Sequence, residues 1–276
     1  MTNEKDSRAL EELRRQIFLT ARRGGIAHLA SSYSCLEILY ALYLRGVMRY
    51  DAGQPDMKAR DRLVLSKGHG GLALYAVMSE AGYFPKEELD SYLQAHTRIG
   101  GEPSIRDVKG VEASTGSLGH GLPVSVGLAL GQKLDGLGAR TFCIVGDGEC
   151  QEGSIWEAAM AAAAQRLDNL TVIIDANGIQ KLCSVEDTMG LVNWREKFEA
   201  FGWCVEECAG HDIGELFDVL SAENRSGKPR AVIAHTVKGK GVSLMENSTK
   251  WHYRLPRPKE LGVFEKELGL SKEDGN

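Results

Sequence analysis

Residues 146–177 constrain the fold more than any other stretch. A short apolar run, Thr141-Phe142-Cys143-Ile144-Val145, has strand length and strand composition. It leads into Gly146-Asp147-Gly148-Glu149-Cys150-Gln151-Glu152-Gly153-Ser154 and then an alanine-rich helical run through Ala164. Ser154-Ile155-Trp156-Glu157 has capping-box spacing at the start of that helix. A polar turn, Arg166-Leu167-Asp168-Asn169, is followed by a second apolar strand, Leu170 to Asp175, and then by Ala176-Asn177-Gly178-Ile179. One strand–loop–helix–strand unit with parallel strands predicts an α/β domain: an open, mostly parallel sheet with helices on both faces.

Asp147 sits at the carboxyl end of the first strand and Asn177 just past the end of the second, where open α/β sheets bind ligands. A carboxylate, a side-chain amide and a nearby backbone carbonyl are hard oxygen donors that suit Mg²⁺ or Ca²⁺ far better than zinc. Mg²⁺ keeps few protein ligands and completes its octahedron with phosphate oxygens and water. The glycines let backbone N–H groups approach an anion at a helix N-terminus. The pattern therefore predicts a metal-bridged diphosphate site. Gly-Asp-Gly by itself also suits an ordinary β–α turn with an acidic cap.

Length and composition set the frame. A chain of 276 residues with 43% hydrophobic and 26% charged residues can bury a substantial core as a soluble globular domain. A formal charge of −5 argues against a nucleic-acid partner, which would need basic patches. No apolar run approaches membrane-spanning length, and the charged start, Met1 to Asp6, has no signal-peptide core. Six cysteines, at 35, 143, 150, 183, 204 and 208, form no Cys-x-x-Cys pair, which fits reduced thiols in the cytoplasm. Residues 1–262 read as one domain, and the charged stretch 263–276 as a C-terminal tail.

Along the chain, Ser7 to Arg23 reads as an amphipathic helix with Leu10, Leu13, Ile17 and Phe18 on one face. Ser34-Cys35-Leu36-Glu37 has capping-box spacing for a helix running to about Met48. Asp61 to Gly70 reads as strand, turn and helix start, and Phe84-Pro85-Lys86 as a helix start with an early proline. Thr115-Gly116-Ser117-Leu118-Gly119-His120-Gly121 says close backbone approach, then helix. Further helices are expected at 193–201 and 213–223, and a buried strand at 229–237. The turn Lys238-Gly239-Lys240-Gly241 lacks P-loop spacing.

Gly146-Asp147-Gly148 followed thirty residues later by Asn177 resembles the thiamine-diphosphate motif. The intervening Glu152-Gly153, Trp156-Glu157-Ala158 and Leu167-Asp168-Asn169-Leu170 resemble transketolase in particular, as do the Thr-Gly-Ser-Leu-Gly and Lys-Gly-Lys-Gly-Val segments. The resemblance runs from about Ala9 to Pro256. It implies that Asp147, Asn177 and the carbonyl of Ile179 hold the metal, and that Gly148 and Glu149 offer backbone N–H groups to the diphosphate. By the same resemblance Gly116, Ser117 and Leu118 touch the aminopyrimidine. His69 lies beside the diphosphate and the reacting centre. His28 and His252 complete a set of three catalytic imidazoles, with His69 and His252 also touching the cofactor.

The family implies more than this chain contains. Only the diphosphate-binding domain is matched, so the resemblance implies the N-terminal subunit of a split transketolase. The pyrimidine-binding domain would belong to a separate C-terminal subunit, in an α2β2 heterotetramer. Thiamine diphosphate would then serve two-carbon ketol transfer from a ketose donor to an aldose acceptor. The alternatives are another thiamine-dependent enzyme, such as a 1-deoxyxylulose-phosphate synthase or a 2-oxo acid dehydrogenase component, and a non-catalytic scaffold subunit. Glu152 reads as a subunit contact or as a solvent-facing acid at a helix start. The sequence departs from the family pattern at the residues flanking His28, at Tyr253 where glycine is usual, at Glu102 where a histidine is usual, and at His120 where glutamine is. Glu102 and His120 are candidate substrate contacts. The sugars stay open, sulfonated ketoses included.

Overall fold

A computed structural model of the chain describes residues 3–190 and 193–270. In chain order the elements are α1 (Glu4–Gly24), α2 (Leu29–Ser34), α3 (Leu36–Tyr43), β1 (Arg62–Leu65), α4 (Gly71–Glu80), α5 (Gly121–Leu134), β2 (Thr141–Gly146) and α6 (Gly153–Ala164). They continue with β3 (Leu170–Ala176), α7 (Val185–Met189), α8 (Trp194–Ala200), β4 (Cys204–Ala209), α9 (Ile213–Ser221), β5 (Arg230–His235) and α10 (Pro258–Glu267). The five strands form one parallel sheet in the order β1-β2-β3-β5-β4.

Strand β2 explains why the sheet has two covered faces. Side chains alternate along a strand, and Phe142 and Ile144 join one buried cluster with Ile17, Leu39, Leu74 and Leu216 of α1, α3, α4 and α9. Cys143 and Val145 join the other, with Leu122, Ile155, Ala159 and Phe198 of α5, α6 and α8. Burial on both faces is the reason these strands read as continuous apolar runs. Each fully buried aliphatic or aromatic side chain contributes roughly 1.5–3 kcal/mol, so the sheet is a firm platform for the loops at its edge.

The strand order fixes where those loops converge. The connection from β2 to β3 runs through α6 on one face, and that from β4 to β5 through α9 on the other. Parallel crossovers keep one hand, so the change of face accompanies a change of direction between β3 and β5. Such a reversal opens a crevice at the carboxyl ends of the strands. Gly146 stands opposite Asp175, and Ala176 opposite His235, at that edge.

Three local expectations are corrected. Ser34 does not cap α3: its Oγ donates to Asp175 Oδ2 at 2.6 Å and accepts from Lys67 Nζ at 3.1 Å, and the helix ends at Tyr43. Ser154 does not cap α6 either; its Oγ donates to the Gly119 carbonyl at 2.8 Å, and Glu152 takes the cap position. The segment after Pro85 is a 3₁₀ turn, Lys86–Ser91. The boundary drawn at residue 262 falls inside α10, whose Phe264 is fully buried and stacks on Phe18 with centroids 5.2 Å apart. Residues 271–276 of the expected tail lie outside the described residues. Among the described residues no helix is long and apolar enough to cross a membrane, and all six cysteines are free.

Candidate active site

The loops after β1, β2, β3 and β5 enclose a cleft of about 280 Å³. Lys67, Gly148, Asn177 and Lys238 line it, together with His28, His69, Leu118, His252 and Tyr253. A larger cavity of about 640 Å³ beside Arg14, Glu37 and His211 contains none of the expected site residues.

One pole of the cleft is built from oxygen donors. Asp147 is only 4% exposed, and its Oδ1 accepts the Gly148 N–H at 2.8 Å and Oδ2 the Gly178 N–H at 2.5 Å. Gly178 has φ +76°, the left-handed conformation that suits glycine. No Lys or Arg side chain bonds to Asp147 among the described residues. Burial, reinforced by the charge of Asp175, pushes its carboxyl up to about 6. Asn177 Oδ1 accepts the Ile179 N–H at 3.1 Å. The Ile179 carbonyl accepts from Lys238 Nζ at 3.0 Å, and that of Gln180 from the same ammonium at 2.9 Å. A Cβ on Gly148 would meet the Gln180 side chain at 3.0 Å, so a larger residue there would have to push that side chain aside.

Glu149 has a different part. Its buried carboxylate accepts from Ser66 Oγ at 2.5 Å, the Gly119 N–H at 2.8 Å and the Gly146 N–H at 3.0 Å. The side chain thus ties the end of β2 to the loops after β1 and before α5. Burial raises its pKa despite these bonds.

The other pole is imidazole. The rings of His28 and His69 lie 4.5 Å apart, His28 and His252 5.2 Å, and His69 and His252 5.6 Å, with Tyr253 packed on His28 at 4.2 Å. Burial, then the facing rings of His69 and His252 and the Lys238 charge, lower His28 to about 3. Burial and Lys238 lower His252 to about 4, and His69 moves in the same direction through burial and Lys67. All three are neutral near pH 7, so each ring can donate one hydrogen bond and accept another.

The Gly116 loop packs between these poles. Gly116 has φ +123°, and a Cβ on Gly68 would meet its nitrogen at 2.5 Å, so the loop lies directly on the turn that carries His69. Leu118 reaches the cleft, whereas Ser117 is exposed. Glu102 is half-buried with its Cγ against Gly116, outside the cleft lining. His120 is exposed, and its Nδ1 lies 3.1 Å from the Leu118 carbonyl. Glu102 and His120 share no hydrogen bond or ion pair with each other. Glu152 is exposed and packs against Gly119.

Three residues of the site were passed over in the sequence. Lys67 forms a buried ion pair with Asp175, which also accepts from Ser34 and Thr236. The ammonium of Lys238 supports the 179–180 backbone and stands 3.4 Å from His252 Nδ1. Burial, then repulsion from Lys67, lowers its pKa to about 8. The available signal was Asp175 itself, a carboxylate inside an otherwise apolar strand, which demands a buried partner.

A parallel sheet with its switch-point crevice lined by hard oxygens, a close-approach glycine turn and neutral imidazoles defines an α/β domain that binds an anionic cofactor. The chain belongs to the transketolase family: the family's thiamine diphosphate binding domain matches residues 20–274. It is 39% identical over 265 residues to an apulose-4-phosphate transketolase subunit of Actinobacillus succinogenes, covering 96% of this chain and 95% of that one. It is 41% identical over 229 residues to a 6-deoxy-6-sulfo-D-fructose transketolase subunit of a Clostridium species, covering 83% of each. The solved transketolase of Campylobacter jejuni superposes with a TM-score of 0.86 at 29% identity, covering 98% of this chain and 44% of that one. The transketolase of Leishmania mexicana gives 0.85 at 27% identity, covering 95% and 41%. The chain thus spans less than half of these two structures.

Proposed function

We propose that this chain is the thiamine-diphosphate-binding, N-terminal subunit of a split transketolase that moves a two-carbon ketol unit from a ketose donor to an aldose acceptor. The observation that carries the reading is Asp147: a buried carboxylate without a cationic partner among the described residues, at the end of β2 and directly before Gly148, which lines one cleft with Asn177, His28, His69 and His252. Asp147, Asn177 and the Ile179 carbonyl would hold Mg²⁺ or Ca²⁺, whose preference is for such oxygens. The Gly148–Glu149 turn would meet the diphosphate, and Gly116 to Leu118 the aminopyrimidine. Thiamine diphosphate, when bound, supplies carbanion stabilisation at the former carbonyl carbon of the donor.

The chain's own residues do the rest. His28, His69 and His252 would each donate one hydrogen bond and accept another at the donor hydroxyls, and so relay protons between them. Leu118 and Tyr253 add apolar surface to the cleft wall. The relatives named above are transketolase subunits, which does not favour the synthase, dehydrogenase or scaffold readings. The partner is a C-terminal subunit bearing the pyrimidine-binding domain, in an α2β2 heterotetramer in the cytoplasm, with Glu152 at a subunit contact. The sugars come from the class of ketose and aldose phosphates or related anionic sugars.

The test is reconstitution. The purified chain should fold and show no ketol transfer, and adding the cognate C-terminal subunit should restore turnover. Robust activity of the chain alone would overturn the split-enzyme reading.

A further inference from the structure

Lys238 occupies an unusual place for a lysine. It is 3% exposed, and its ammonium donates to two successive carbonyls, Ile179 at 3.0 Å and Gln180 at 2.9 Å. The loop that carries it is held at three successive residues. Val237 N–H donates to His211 Nε2 at 2.8 Å, Gly239 N–H to the Ala30 carbonyl at 3.1 Å, and the Lys238 carbonyl accepts from Asn247 N–H at 3.0 Å. Gly239, at φ +79°, has no room for a Cβ, which would lie 2.6 Å from that of Met245. The loop is therefore fixed, and the mobile part of Lys238 is its four-carbon stem.

The Ile179 carbonyl is also the oxygen assigned above to the divalent metal. An ammonium and a divalent cation sharing one carbonyl repel each other strongly in a buried site. The carboxylates around Lys238 are Asp147, Asp175, which Lys67 already neutralises, and Glu149, held by Ser66 and two backbone N–H groups, while Lys67 and Lys181 add positive charge to the same cleft. A diphosphate adds several negative charges, enough to hold a divalent ion after the ammonium has let go. We propose that Lys238 is a resident cation that holds the Ile179 carbonyl until the cofactor binds and so makes metal binding depend on the diphosphate. This rests on the metal assignment under Proposed function. By linkage the dependence is reciprocal: the metal raises diphosphate affinity by the same factor. A site built this way discriminates against free divalent ions and loads the pair together. If Lys238 instead only fastens the 179–180 backbone, removing it loosens the metal site and weakens metal binding.

The two roles predict opposite signs. Mn²⁺ is titrated into the full chain, without and with thiamine diphosphate, and free Mn²⁺ is read by electron paramagnetic resonance. Lys238→Met and Lys238→Gln should bind Mn²⁺ alone about tenfold more tightly than the wild type, a usual size for a coupling between two sites. The gain in Mn²⁺ affinity on adding thiamine diphosphate should shrink by the same factor. Lys238→Arg, which keeps the charge, should behave as the wild type. Mn²⁺ affinity in both neutral variants that equals or falls below the wild type, or stays immeasurable in all, overturns the proposal. Asp147→Asn separates the two layers: unchanged Mn²⁺ binding in that variant removes the metal assignment itself. Loss of Mn²⁺ there, with no gain in the Lys238 variants, removes only the role of Lys238.

Discussion

Two buried carboxylates stand at neighbouring strand ends, Asp147 after β2 and Asp175 near the end of β3, and they have opposite environments. Asp175 is fully buried, yet its pKa is lowered, because the charge of Lys67 and the hydroxyls of Ser34 and Thr236 outweigh the cost of burial. Asp147 has two backbone N–H donors and no ammonium, and burial drives its pKa to about 6. A carboxylate that the fold has already neutralised is part of the frame. One buried beside a crevice with no ammonium bonded to it is suited to an external cation.

The largest effect should come from breaking the satisfied pair. Lys67→Met leaves Asp175 as an uncompensated buried charge and should cost about 3–5 kcal/mol. The double variant Lys67→Met with Asp175→Asn should recover much of that loss. Urea denaturation of the two variants checks this, and a single variant losing less than about 1 kcal/mol would show that water or another cation relieves Asp175.

Asp147 should respond with the opposite sign. Its carboxyl moves from an ordinary 3.8 to about 6 in the folded, metal-free chain. Below the unfolded value both states are protonated and nothing is lost. As pH rises through the folded value, the unfolded chain is already ionised and the native state must follow, so stability falls. Asp147→Asn removes that fall and should stabilise the metal-free protein at pH 7.5 by up to about 3 kcal/mol. The same variant should lose metal-dependent thiamine diphosphate binding in the assembled enzyme. Denaturation from pH 4.5 to 8 in a chelator, with calorimetry beside it, reads both. Parallel pH profiles for variant and wild type would mean that Asp147 is solvated like a surface acid.

These contrasts also mark what the sequence could reveal. The β2–α6–β3 unit was legible because strands buried on both faces read as unbroken apolar runs. The placement of Asp147 and Asn177 at the carboxyl ends of β2 and β3 was legible because it follows from local pattern. His28, His69 and His252 came from family resemblance; no spacing brings three histidines so far apart in the chain into one cluster. The caps at Ser34 and Ser154 failed because each hydroxyl found a tertiary partner, 141 and 35 residues away. Lys67 and Lys238 escaped for the same reason: a lysine in a short polar turn shows its burial only when the opposite loop is in place. The fold beyond residue 262 was missed because a charged composition outweighed one aromatic side chain, Phe264, that locks α10 to Phe18 and Trp251.

A third carboxylate belongs to neither kind and should show the smallest effect. Glu102 has no salt bridge among the described residues, and its stem lies on Gly116 while its backbone carbonyl accepts from Tyr75 at 2.9 Å. It does not line the cleft of this subunit. Its influence on a sugar would pass through the Gly116 loop or through direct contact once the partner subunit narrows the cleft. An ionised carboxylate only accepts hydrogen bonds, whereas neutral imidazole donates one and accepts one. Glu102→His should therefore redistribute kcat/KM among ketose donors by about 1 kcal/mol, or several-fold, the scale of one altered polar contact. Thiamine diphosphate affinity should stay nearly unchanged, because the Gly116 backbone and its φ are preserved. A panel of donors differing in terminal anionic group, measured in the reconstituted enzyme, separates the cases. A redistributed profile with constant cofactor affinity assigns Glu102 to donor choice; a uniform fall with weakened cofactor binding makes it a prop for the Gly116 loop, and identical profiles remove it from the site.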